Sequence, residues 1–130
     1  MESWILIVDD EEMIRDGLRA YLEDEGMRVV ALESAEEALE YVKVGQSFAV
    51  CIMDMRLPDM DGNAAIRSLH TRCPNMSFVI HTGSADYSLP PDLRTLGLTE
   101  DEVYLKPMAD LAPLAESVRR LVSQHQLDPE

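Results

Sequence analysis

Basic residues are scarce in this chain. Eleven Lys and Arg stand against 25 Asp and Glu, a formal net charge of −14. Direct binding to nucleic acid or to an anionic membrane surface draws on a surplus of positive charge, so neither is expected here. The balance suits a protein that holds a divalent cation or meets basic partner surfaces. Cysteine is nearly absent: Cys51 and Cys73, with no CxxC and no matching His spacing, make neither a disulfide framework nor a zinc site. That usage fits the reducing cytoplasm. No apolar run approaches the roughly 20 residues of a membrane span. The opening MESWILIVDDEE has no basic region ahead of its short apolar run, so no signal peptide is expected either. Internal repeats and low-complexity tracts are also lacking.

What is present is a 130-residue chain with 46% hydrophobic and 28% charged residues. It has the length of one ordinary domain spanning 1–130 and needs no staples, since about two-thirds of the unfolded surface can leave water at this size. Short apolar runs alternate with amphipathic stretches. WILIV (4–8), MRVVAL (27–32), FAVCIM (48–53), SFVIHT (77–82) and VYL (103–105) read as strands, and continuous apolarity marks strands buried on both faces. Helical spacing appears over 11–25, 34–44, 63–72 and 109–124. Ser34 and Glu37 stand at capping-box spacing, and Gly26 and Gly45 end their helices. Between Gly83 and Asp101, Pro90 and Pro91 leave room only for a short helix over 91–96. Alternating β and α elements predict a parallel α/β sheet with right-handed crossovers and helices on both faces.

In such sheets ligands bind beyond the carboxyl ends of the strands, where strand order reverses. Asp9 and Asp10, Asp54, Thr82 and Lys106 follow the first, third, fourth and fifth runs. Three carboxylates, a hydroxyl and an ammonium are therefore predicted to share one rim. Clustered carboxylates repel, and a divalent cation relieves that. Oxygen-only donors suit Mg²⁺, which divides its coordination between carboxylates, water and phosphate. A carboxylate can also attack phosphorus to give an aspartyl phosphate, a transfer catalysed mainly by positioning and charge neutralisation. His81 reads as a core histidine inside a strand. Asp59 and Asp61 read as residues of the turn before Gly62.

The motifs ILIVDDE (5–11), MDMRLPDMDG (53–62), HTG (81–83) and YLKP (104–107), in this order and each at the end of its own apolar run, resemble those of bacterial two-component response-regulator receiver domains. The resemblance covers essentially the whole chain. It implies a flavodoxin-like fold with strand order 2-1-3-4-5, here with an irregular fourth helix. It implies Asp54 as phosphoacceptor, with Mg²⁺ bound directly by Asp10, Asp54 and the backbone carbonyl of Arg56, and by Asp9 mostly through water. Thr82 is implied to hydrogen-bond the phosphoryl group, and Lys106 to pair with Asp54 and then with the phosphate. The Lys106–Pro107 peptide is implied to be cis. The implied donor is a histidine kinase or a histidine phosphotransfer protein. The recipient would be a downstream protein or an output domain, of which nothing is expected after the last helix, where only QLDPE remains.

Two departures from the family pattern stand out. The position three before Lys106 is usually aromatic but holds Val103, with Tyr104 one residue later on the opposite strand face. Prolines 90 and 91 interrupt the fourth helix, so the dimer usual through that region is not assumed. A receiver-like binding module that works without phosphate is the alternative reading. A dehalogenase-type phosphohydrolase wants a second Asp two residues after the nucleophile, where Arg56 stands. A flavodoxin wants a phosphate loop where DDEEM stands.

Overall fold

The apolar runs form five parallel strands in a computed structural model that describes residues 3–127. In chain order the elements are β1 (Trp4–Val8), α1 (Glu12–Asp24), β2 (Arg28–Leu32), α2 (Ala35–Lys43), β3 (Val50–Met53), α3 (Gly62–Arg72), β4 (Ser77–Thr82), α4 (Pro91–Thr95), β5 (Val103–Leu105) and α5 (Ala112–Leu127). The sheet order is β2-β1-β3-β4-β5, the arrangement expected above.

Period-two alternation divides the sheet residues between two cores. Leu6, Val8, Cys51, Met53, Phe78 and Ile80 pack with Ala38 of α2, Leu69 of α3 and Leu93 of α4. Ile5, Ile7, Val50, Ile52 and Val79 pack on the other face with Leu18 and Leu22 of α1 and Leu114 and Val118 of α5. Both faces are dry, which is why the strands read as unbroken apolar runs. Gly26 closes α1 at φ +89, a backbone region that L side chains rarely adopt.

The helix ends differ from the sequence reading in instructive ways. The last helix begins at Ala112, not at 109. Asp110 accepts the Ala112 N–H at 3.0 Å, and Pro113 falls at the second helical position, where no N–H is needed. The fourth helix is a single turn, Pro91–Thr95. It is followed by a 3₁₀ turn at Glu100–Glu102, which Thr99 and Glu102 close as a reciprocal capping box. Ser34 caps α2 through the Glu37 N–H at 3.2 Å, but the Glu37 carboxylate reaches the N–H of Glu33. Asp61 is the N-cap of α3, accepting from Ala64 at 2.9 Å. Asp59, read as a turn residue, instead takes the N–H groups of Ala35 (3.3 Å) and Glu36 (2.8 Å) at the start of α2. A bond spanning 23 residues leaves no local mark in the sequence.

Candidate functional site

Strand register brings three of the expected residues, Asp9, Asp54 and Lys106, into contact. Val8 pairs with Met53, so Asp9 and Asp54 leave adjacent strands at the point where strand order reverses. The backbone ladder continues past the strand ends: Asp9 N–H donates to Leu32 O at 3.0 Å, Asp54 N–H to Val8 O at 2.9 Å, and Lys106 N–H to Thr82 O at 2.7 Å. Each functional residue is thus held by main chain as well as by its own contacts. The Lys106–Pro107 peptide is cis.

Lys106 organises the site. Its side chain is 7% exposed, and its ammonium lies 2.9 Å from Asp9 Oδ2, 2.7 Å from Glu11 Oε1 and 3.4 Å from Asp54 Oδ1. Burial alone would lower the lysine pKa. Hydrogen bonds to Glu11 and Asp9, with the charges of Asp9 and Asp54, outweigh it and hold the group above its ordinary value. Asp54 is buried as well. Its carboxyl pKa is pushed up to about 6 by burial and by the Asp9 charge, against the opposing pull of Lys106 and the Arg56 N–H, which lies 3.3 Å from Oδ1. The Glu11 carboxylate falls below its ordinary value because it accepts a hydrogen bond from Lys106.

An open cleft of about 310 Å³ lies over this group, lined by Asp10, Glu11, Asp54, Arg56, Gly83 and Lys106. Asp10 is exposed at its edge, while Asp9 is buried and fixed by the Glu11 N–H at 2.9 Å. Among the described residues, ligand oxygens of Asp9, Glu11 and Asp54 lie within 4.8 Å of one another. These are hard oxygen donors with no imidazole or thiolate among them. Burial and the neighbouring Asp9 charge disfavour the ionised Asp54 carboxylate, and Lys106 and the Arg56 N–H offset them only in part. Donor set and charge both fit a small divalent cation such as Mg²⁺.

Thr82 ends β4 as expected, but its hydroxyl accepts the Ser84 N–H at 3.1 Å and does not line the cleft. His81 is buried, as the sequence reading had it. Neither of its ring nitrogens finds a partner among the described residues, and burial holds its pKa below the ordinary value. Sequence reasoning missed Glu11. An acidic residue at the start of a helix is already explained by the helix dipole, and nothing in the local sequence reveals that Lys106, 95 residues away, reaches back to it.

The chain matches the response regulator receiver domain family over residues 5–119. It belongs to that family. It is 32% identical over 130 residues to the transcriptional regulatory protein AruR of Pseudomonas aeruginosa, an overlap covering 94% of this chain and 51% of AruR. Among solved structures, a CheY-like response regulator receiver domain protein from Methanospirillum hungatei superposes with a TM-score of 0.83 at 29% identity, covering 98% of this chain and 99% of that one. The response regulator protein TrrA of Thermotoga maritima, solved in complex with Mg²⁺ and beryllium fluoride, does so with a TM-score of 0.76 at 26% identity, covering 93% of this chain and 99% of that one. The chain spans about half or less of the length of the first curated relatives it matches. As a receiver domain it has a phosphoacceptor role in two-component signalling. Receiver domains bind Mg²⁺ at an acidic pocket and interact with histidine kinases and output domains; in this chain Asp9, Glu11 and Asp54 form an acidic cluster. Among the described residues no helix is long and apolar enough to cross a membrane.

Proposed function

We propose that Asp54 is the residue of this receiver that takes the phosphoryl group, from the phosphohistidine of a kinase or phosphotransfer protein in the cytoplasm, and that the phosphorylated form regulates a downstream protein or an output domain. The carrying observation is the Asp54 carboxylate, fixed in the cleft at the strand reversal with the Lys106 ammonium 3.4 Å away. A carboxylate oxygen attacks phosphorus, the bond from phosphorus to the donor breaks, and the donor leaves with the bonding electron pair. Lys106 takes one equatorial oxygen of the transferring group, and the Thr82 hydroxyl takes another once it turns from Ser84. Mg²⁺, when bound, neutralises the third. Asp10, Asp54 and the Arg56 carbonyl would hold it directly, with Asp9 mostly through water, and the place of Glu11 in the same oxygen cluster adds a further acidic group. The same residues, with water as the attacking group, would return the domain slowly to its resting state.

The test is intact mass after incubation with acetyl phosphate, with and without Mg²⁺. A gain of one phosphoryl group that requires Mg²⁺ supports the reading. No gain under any condition would leave a binding module that works without phosphate.

Replacing the ammonium probes the second role. Lys106→Ala leaves Asp9, Glu11 and Asp54 facing one another without a cation. The metal-free protein is expected to lose about 3 kcal/mol, at the lower end of the usual cost of removing one partner from a buried ion pair. Mg²⁺ should raise the melting temperature of this variant by more than it raises that of the wild type. Phosphorylation by acetyl phosphate should slow by about 100-fold, the usual loss for one removed electrostatic donor. An unchanged rate would show that Lys106 serves stability alone.

A further inference from the structure

Any change at Thr82 must be carried onward by the segment that follows β4, and the structure ties that segment down at few points. The Thr82 hydroxyl accepts from the N–H of Ser84, and the carbonyl of Ser84 accepts from the N–H of Tyr87 at 3.2 Å. The Tyr87 hydroxyl in turn donates to Asn63 Oδ1 at 2.7 Å. Asn63 is the second residue of α3, at the end of the loop that leaves Asp54. One side chain therefore clasps the segment after β4 to the segment after β3.

The tie is sheltered. Tyr87 is half-buried against the core that also holds Leu89 and Leu93, and burial pushes its phenol up to about 12. The neighbouring tie, Arg67 to Asp92 at 2.6 Å, lies one turn along α3 but is exposed, where ion pairs contribute little. β5 supplies no competing aromatic on this side. Val103, opposite Ile80 in the register, has no polar atom to exchange. Tyr104 points to the other face, held under α5 by the Pro113 carbonyl and Ser117.

Resting on the phosphoacceptor reading above, we infer that Tyr87 is a positioning residue that reports the state of the site: its bond to Asn63 holds Thr82 in the resting arrangement and is released when Thr82 turns to the phosphorylated Asp54. When the Thr82 hydroxyl leaves, the Ser84 N–H loses its acceptor and the turn that carries Tyr87 loses its anchor. The clasp therefore opposes occupation of the site, and removing it makes occupation easier.

The experiment uses beryllium fluoride with Mg²⁺ as the stand-in for the phosphoryl group, on protein labelled with fluorotyrosine. The four tyrosines give separate ¹⁹F resonances, assigned by single Tyr→Phe substitutions. The Tyr87 resonance is expected to shift on saturation while that of Tyr104 stays in place. Tyr87→Phe and Asn63→Ala should each tighten binding of beryllium fluoride about threefold, as for loss of one hydrogen bond present only in the resting state. The double variant should gain no more than either single one. A stationary Tyr87 resonance in wild-type protein that binds the probe would overturn the inference and leave the phosphoacceptor reading intact, and so would unchanged or weaker binding by Tyr87→Phe. Failure of the wild type to bind the probe at all would instead remove the phosphoacceptor reading, and this inference with it.

Discussion

Asp54→Asn should abolish the gain of a phosphoryl group entirely and, at the same time, make the metal-free protein more stable. The first effect follows from chemistry: an amide oxygen is no nucleophile toward phosphorus under these conditions, and no second carboxylate occupies the same position between Lys106 and the Arg56 N–H. The second follows from the carboxyl pKa, raised from 3.8 to about 6 chiefly by burial and by Asp9. Between those values the folded protein keeps a proton that the unfolded chain has lost, so this group makes stability fall as pH rises through the window. At pH 7 the ionised Asp54 is a net cost to the fold. Removing its charge should stabilise the metal-free domain by on the order of 1 kcal/mol, about 3 °C in melting temperature. Mg²⁺ should then raise the melting temperature of the variant less than that of the wild type, since one ligand oxygen has lost its charge. Calorimetry at pH 7.5 with and without Mg²⁺, beside intact mass, reads all three. A variant that still accepts a phosphoryl group would move the acceptor elsewhere, and one that melts lower without metal would contradict the electrostatic account of the pocket.

Gly62→Ala should be the most damaging small substitution near the site. The Gly62 N–H donates to the Met55 carbonyl at 2.9 Å, which draws the start of α3 against the chain just after Asp54. A Cβ at Gly62 would lie 2.5 Å from the Asp54 carbonyl oxygen and 2.7 Å from the Met55 Cα, and would overlap the Met55 side-chain methyl. The methyl could move, but the two backbone atoms could not do so without displacing Asp54. The expected loss is about 3 kcal/mol, at the upper end of the cost of overpacking, and about 10 °C in melting temperature. Because the strain falls on the backbone of Asp54, phosphorylation by acetyl phosphate should slow as well, even at temperatures where the variant is fully folded. Unfolding followed by the fluorescence of Trp4, the single tryptophan, measures the stability term. A variant as stable as the wild type would mean that α3 does not approach the loop so closely. Gly17, whose added Cβ meets nothing within 4 Å, is the natural control: Ala there should be neutral or slightly stabilising.

Much of this molecule was open to a reader of the sequence. The strands were legible because both sheet faces are dry, so each buried strand had to be a continuous apolar run. The helices between them were legible from their period. The positions of Asp9, Asp54, Thr82 and Lys106 followed from one geometric rule about strand ends, and the four motifs added the strand order. The true start of α5 was less legible, because Asp110 caps a helix whose first turn tolerates Pro113 while the preceding Ala109 is also a good helix former.

Only the tertiary structure decided the contacts between residues distant along the chain. Lys106 could be placed at the rim, but not its division among Asp9, Glu11 and Asp54. Gly62 could be read only as the residue after a turn, and its close approach to the backbone of Asp54 and Met55 left no mark in the sequence. Asp59 serves a helix that begins 24 residues before it, and Tyr87 reaches back the same distance to Asn63. Local composition and period record what each segment must bury. They carry no record of which polar group on another segment will face it once the sheet is closed.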